Sequence, residues 1–130
     1  MGTNPMSKKR KIINWTFVGL MSSLFIMSAI MKLMAGADAE IAVNFVKWGL
    51  EGKLMLIGMG ELIAAILFLI PRTSSLGVLL LSAHLGGAIA THMEHGEMFI
   101  PQAVMLLLVW VANYLRNPEM LSSFFQKETN

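Results

Sequence analysis

Four apolar runs dominate the chain: Trp15 to Met31, Leu54 to Ile70, Leu76 to Thr91, and Ile100 to Leu115. Each holds at most a few polar residues and is apolar nearly all round, unlike the one-faced helix of a soluble bundle. In lipid the backbone must satisfy its own hydrogen bonds, which leaves helices or closed barrels. No period-2 alternation points to a barrel. At 1.5 Å per residue, about 17 residues cover roughly 25 Å. That is short for a hydrocarbon core of about 30 Å, so a turn borrowed from the flanks or local bilayer thinning must supply the rest. The sequence predicts an all-α, integral membrane four-helix transmembrane bundle with spans at about 15–34, 54–70, 76–92 and 100–116.

Composition agrees. Of 130 residues, 55% are hydrophobic and only 14% charged, too few for the surface of a soluble domain of this length. Mean hydropathy is +0.64. The net charge of +2 is unevenly placed: Lys8, Lys9, Arg10 and Lys11 sit together before the first run. Beside a hydrophobic segment such a cluster reads as a cytoplasmic membrane flank. No basic or aromatic surface follows it to suggest nucleic acid.

Residues 1–14 therefore form a basic cytoplasmic N-terminus, 15–116 the membrane domain and 117–130 a cytoplasmic tail. Arg72, Arg116 and Lys127 join the basic cluster on the inner side, against Lys32, Lys47 and Lys53 outside. This excess places both termini in the cytoplasm of a multi-pass protein of the cell's inner (plasma) membrane. Pro71 closes the second span in the turn Pro71–Ser75, and Pro101 opens the fourth. Trp15, Trp48 and Tyr114 fall at expected interfaces as anchors. The outer loop from Gly36 to Lys53 carries Ile41, Val43, Phe45, Val46, Trp48 and Leu50, suggesting a short amphipathic piece at the interface. A competing reading takes the first run as a signal peptide cleaved near Ala35–Ala39, but the run is longer than usual and Lys32 interrupts it.

Ionisable groups inside a membrane are costly, about 2.5–3.5 kcal/mol each on insertion scales, and are functional candidates by default. Glu61 lies seven residues into the second run, and His84 lies eight residues before His92 on the antiparallel third. Both fall roughly 10–12 Å below the outer end, where they can meet. His84 and His92 share a helix face, with Thr91 adjoining. Lys32, at the outer end of the first span, either reaches down or snorkels outward. Glu94, His95 and Glu97 add an outer polar turn. The outer half of the bundle is thus expected to be polar inside and the inner half dry. Gly58, Gly60, Gly86 and Gly87 are expected to let helices approach closely.

The ligand-binding candidates are Lys32, Glu61, His84, Thr91, His92 and Glu97. Two readings of this set stay open. It is either polar glue between helices, worth about 0.6–2 kcal/mol per bond, or a ligand or proton site, since His and Glu are the usual carriers of protons. His92, Met93, His95 and Met98 resemble a copper-type cluster, but methionine is spread through every span and no metal site is assigned. Haem ligation by His84 or His92 lacks a partner histidine on another span. No cysteine is present, which excludes thiol chemistry, disulfides and Cys-ligated clusters. No nucleotide loop, nucleophile elbow or HExxH motif occurs, and no catalytic residue is assigned.

The ordered motifs resemble a known family. Gly60-Glu61-Leu62, Ala64-Ala65-Ile66, Ile70-Pro71-Arg72-Thr73, Leu76-Gly77, His84-Leu85-Gly86-Gly87-Ala88, Thr91-His92, Gly96-Glu97 and Pro101 follow the pattern of the DoxX-like family, as does Ser28-Ala29 with Lys32-Leu33. The resemblance covers roughly Asn14 to Arg116. It implies a small four-helix membrane protein of mostly bacterial type. Relatives named for quinone-linked sulfur oxidation suggest a quinone-associated role, and similar animal proteins act as membrane assembly factors. The lack of cysteine argues against thiol-redox four-helix relatives such as vitamin K epoxide reductase.

The leading expectation is a non-catalytic binding or assembly subunit of a membrane complex, working with a membrane-protein partner or by self-association. The alternative is a quinone- or proton-linked redox component, that is, part of a quinone-linked oxidoreductase. In it Glu61 and His84 hold the ligand, and His92 and Glu97 relay protons.

Overall fold

The computed structural model describes residues 7–125. The first six residues of the basic N-terminus and the last five of the tail, including Lys127, lie outside the described residues. Among the described residues every regular element is helical. The long helices are α1 (Lys8–Met34), α3 (Leu54–Leu69), α4 (Ser74–Glu94) and α5 (Ile100–Arg116). Two short ones are α2 (Glu40–Lys47) and α6 (Ser122–Phe125).

Helix α1 starts at the basic cluster because Ser7 caps it: the Ser7 hydroxyl accepts from the Arg10 N–H at 3.3 Å. Lysine and arginine are good helix formers, so the charges form its first turn. Ile70 is extended ahead of Pro71 and ends α3. One 3-10 turn, Pro71–Thr73, then leads straight into α4. Helix α4 is thus longer at both ends than its apolar run, and the two helices form a tight hairpin.

The long helices pack in a ring, α1 on α3, α3 on α4, α4 on α5, and α5 back on α1. Val18, Phe25, Ala65, Phe68, Leu81, Val109 and Ala112 fill the centre. The outside is equally apolar: Leu20, Met27, Leu56, Leu79 and Leu107 face outward on all four helices. A surface so covered in large apolar side chains fits lipid rather than water. Helix α1, and α4 together with its leading turn, are long and apolar enough to cross a membrane; α3 and α5 are apolar but shorter.

The closest helix approach is at Gly77, which is not among the four glycines expected to provide it; of those four, Gly58 lies at a close approach. A β-carbon at Gly77 would lie 2.5 Å from the Phe68 Cα, against backbone of α3. One at Gly58 would meet the Lys32 Cβ at 3.1 Å, so α1 and α3 are also close there. Around Gly60, Gly86 and Gly87 nothing lies within 4 Å. The glycines of an all-round apolar helix cannot be assigned to a face from sequence, because nothing in the pattern fixes the helix's rotation.

The expectation of a dry inner half is also corrected. The end that carries the α1 start, the α3–α4 turn and the α5 end contains buried Asn14, Ser74 and Asn113. Arg116 reaches across to it, donating to the Leu69 carbonyl at 3.0 Å and to the Phe68 carbonyl. It thereby satisfies the open carbonyl end of α3. Asn117 donates to the Ser74 hydroxyl at 2.7 Å.

Candidate functional site

At the opposite end the bundle is hollow. A cavity of about 630 Å³ lies between α1, α3, α4 and α5, with α2 over it. Ligand pockets usually measure about 300–1,000 Å³. Leu24, Ile57, Leu85 and Met105 give it apolar walls.

The polar end of the cavity is built on Glu61, which is 2% exposed. Lys32 Nζ lies 2.6 Å from Glu61 Oε2 and 2.6 Å from the Ser28 hydroxyl, one helical turn back on α1. Lys32 therefore reaches down rather than snorkelling outward. His84 Nε2 lies 3.5 Å from the other carboxylate oxygen. Glu61 bridges α1 and α4 from α3, with a cation on one side and an imidazole on the other. An ammonium has three donors. Two are engaged here, so the third is available to an occupant of the cavity that Lys32 lines. A carbonyl or hydroxyl oxygen suits it.

The second polar group sits nearer the end of α4. The His92 ring bonds the Ala88 carbonyl through Nδ1 at 2.7 Å, which fixes Nδ1 as the donor. Its Nε2 then faces the Gln102 amide at 3.3 Å and Glu97 Oε2 at 3.9 Å. Gln102 Oε1 is buried and has no partner among the described residues. Glu97 is aimed back at the bundle by the end of α4. Gly96 takes a left-handed φ of 67°, and the Glu97 N–H donates to the His92 carbonyl at 2.8 Å.

Helix α2 roofs the cavity. Ile41, Phe45 and Trp48 follow at helical spacing and line the space from that side. The Trp48 indole donates to Glu97 Oε1 at 3.1 Å, and its ring lies 5.0 Å from the His92 ring. Lys47 Nζ stands 3.9 Å from the same carboxylate oxygen. Trp48, expected as an interfacial anchor, turns inward; Trp15 and Tyr114 are about half exposed.

The structure thus brings Lys32, Glu61 and His84 together, places His92 and Glu97 side by side, and lines one cavity with both sets. Thr91 also lines it, but its hydroxyl donates back to the Gly87 carbonyl. The histidine–methionine cluster splits up: His95 bonds the Thr91 carbonyl on the exposed side, and Met93 and Met98 point outward. Sequence reasoning missed Ser28 and Gln102 as site residues. The signals were a polar residue one turn before Lys32 for Ser28, and a polar residue directly after the helix-opening Pro101 for Gln102.

An apolar-faced helical bundle with a hollow, polar-ended interior defines a small helical membrane-associated protein with an internal cavity. The chain belongs to the DoxX-like family, whose family model matches residues 16–112. No curated protein and no solved structure matches it.

Proposed function

We propose that this chain is a multi-pass protein of a bacterial inner membrane that holds a small lipid-soluble molecule by its polar end, as a binding subunit without turnover of its own. The observation that carries this reading is the cavity, apolar along its walls and ending at Lys32, Glu61 and His84. Helix glue alone needs no adjoining space of this size, since a structural polar network is better closed than hollow.

In this reading α1, α3, α4 and α5 each cross the bilayer. Helices α3 and α5 reach only about 24–26 Å, so the bilayer thins around them or their flanks extend them. Lys8, Lys9, Arg10, Lys11, Arg72 and Arg116 gather at one end of the bundle, and Lys32, Lys47 and Lys53 toward the other. The excess of positive charge supports a cytoplasmic position for both termini.

The test is native mass spectrometry of protein extracted gently from its own membrane. Wild type should carry a co-purifying small molecule that Glu61→Gln loses. Gly87→Leu should lose it too: Gly87 lines the cavity, is not part of the ion pair and has open space where a Cβ would stand. An empty wild-type protein that reproducibly retains a partner protein overturns the ligand reading in favour of an assembly role.

One observation favours a second reading. His92 lies 3.9 Å from Glu97, whose side chain is 30% exposed, so two groups able to carry a proton stand between the cavity and solvent. That suits a proton-linked component whose occupant is a quinone, with Lys32 and His84 at a quinone oxygen and the electrons supplied by a partner protein. It predicts a co-purifying mass of the quinone class and a pH-dependent occupancy that Glu97→Gln abolishes. Occupancy that ignores pH in both proteins excludes it.

A further inference from the structure

The polar end of the cavity offers a hydrogen-bond donor and a hydrogen-bond acceptor on either side of one carboxylate. Lys32 supplies the donor: Glu61 and Ser28 engage two of its N–H groups, and the third is left for an occupant. His84 supplies the acceptor. Its Nε2 lies 3.5 Å from Glu61 Oε1. A carboxylate can only accept, so in the neutral ring Nε2 carries the hydrogen and Nδ1 keeps its lone pair. His92 and His95 each use Nδ1 on a carbonyl one turn back. His84 Nδ1 has no such bond among the described residues, and it is not closed in as Asn14 Oδ1 and Gln102 Oε1 are. The His84 side chain is 18% exposed and lines the cavity.

The charge at this end is already balanced. Lys32 Nζ and Glu61 Oε2 lie 2.6 Å apart, so a charged head group would find no counter-charge of its own between apolar walls, which is costly. A carbonyl oxygen would answer Lys32 but bring no hydrogen for His84. A hydroxyl answers both, accepting from one and donating to the other. We propose that the occupant is a neutral, lipid-soluble alcohol whose hydroxyl bridges Lys32 Nζ and His84 Nδ1, with its hydrocarbon part along Leu24, Phe25, Ile57, Leu85 and Met105. This rests on the reading of the cavity as a ligand site and narrows it from any polar-ended molecule to one with a hydroxyl.

The experiment is a competition for the purified, delipidated full-length protein in one detergent. The probes are dodecanol, decyl methyl ketone and dodecanoate in equal amounts. Retained probes are quantified by mass spectrometry and corrected for their uptake by protein-free micelles. Wild type should retain the alcohol about tenfold over the ketone, which leaves an acceptor unpaired in a mostly enclosed place. It should also retain the alcohol over dodecanoate. His84→Phe removes the acceptor and should bring the alcohol-to-ketone ratio down to about one. His84→Gln, whose amide can donate to Glu61 and accept from a ligand, should keep most of the preference. The ratio does not depend on how much of a variant stays folded, so a less stable variant still reports it.

A wild-type ratio near one overturns the hydroxyl assignment and leaves the cavity a ligand site. So does an unchanged ratio in His84→Phe, or a ratio lost as fully in His84→Gln as in His84→Phe. Dodecanoate retained above the alcohol overturns the neutral head group. Retention of none of the three probes overturns the inference as well, and the mass that co-purifies with the native protein then decides separately whether the cavity holds a ligand.

Discussion

Both ends of the bundle enclose polar side chains, and they use them in opposite ways. At the closed end, Arg116 donates to backbone carbonyls that α3 leaves open, and Asn117 bonds Ser74. Arg116 thus replaces missing helix hydrogen bonds, and Asn117 ties the end of α5 to the start of α4. At the hollow end, Lys32, Glu61 and His84 bond to each other across three helices and face a cavity of about 630 Å³. Buried polarity by itself therefore does not mark a site. What separates the two ends is that the linked group of Lys32, Glu61 and His84 lines a cavity of about 630 Å³.

Gly77 gives the largest expected effect, and it belongs to the closed end. A β-carbon there runs into Phe68 backbone, which cannot move aside as a flexible side chain can. Overpacking commonly costs about 1–3 kcal/mol and more where backbone must shift, so Gly77→Ala should lower stability by at least about 3 kcal/mol. Gly87→Ala, at the hollow end, meets nothing within 4 Å and should change stability by no more than about 1 kcal/mol. Thermal melts of both variants in one detergent check the contrast. If the two behave alike, the packing distinction between the ends is wrong.

Arg116 comes next. Its replacement by leucine leaves the Phe68 and Leu69 carbonyls without their charged donor, a loss of about 2–3 kcal/mol. The expected result is a lower melting temperature with unchanged cavity occupancy in the protein that remains folded. Loss of occupancy at full stability would mean that the closed end communicates with the cavity.

These first two cases also show what the sequence makes legible. Glu61 and His84 could be placed at one depth because two helices joined by a short turn must run antiparallel with a fixed rise. Depth along a helix survives in the sequence. Rotation about its axis does not when every face is apolar, which is why Gly77 was passed over and Gly60, Gly86 and Gly87 were chosen instead. Arg116 read only as an inner-side charge, because its partners are backbone carbonyls and leave no trace in side-chain pattern. The hydrophobic residues of α2 were recognisable as one amphipathic piece, but both lipid and a cavity attract such a face. Only the left-handed turn at Gly96, which brings Glu97 back to Trp48, decides between them.

The ion pair itself should give a smaller but more diagnostic effect. Lys32→Met and Glu61→Leu each leave a charge without its partner in a buried place. The double variant leaves none and should be more stable than either single one. A coupling energy of about 1–3 kcal/mol is expected from a double-mutant cycle. Both singles and the double should lose the cavity's occupant. A coupling near zero would mean that water in the cavity screens the pair, making Lys32 and Glu61 separate contacts for a ligand rather than one unit.

The smallest effect tests the roof of the hollow end. Trp48→Phe keeps an aromatic ring against His92 and removes the hydrogen bond to Glu97. A lone hydrogen bond of this kind is worth about 0.5–1.5 kcal/mol, too little to unfold the bundle. It is enough to loosen α2 locally, because few other polar contacts tie that helix to the α4–α5 loop. Hydrogen exchange should therefore speed up in Glu40–Lys47 and stay unchanged in α3 and α5. An occupant should also leave faster, with its polar contacts at Glu61 intact. If exchange rises through α3 as well, α2 is part of the bundle's core and not a separable roof. The cavity would then open by movement of the long helices, and the contrast between a closed end and a hollow end would describe one rigid body.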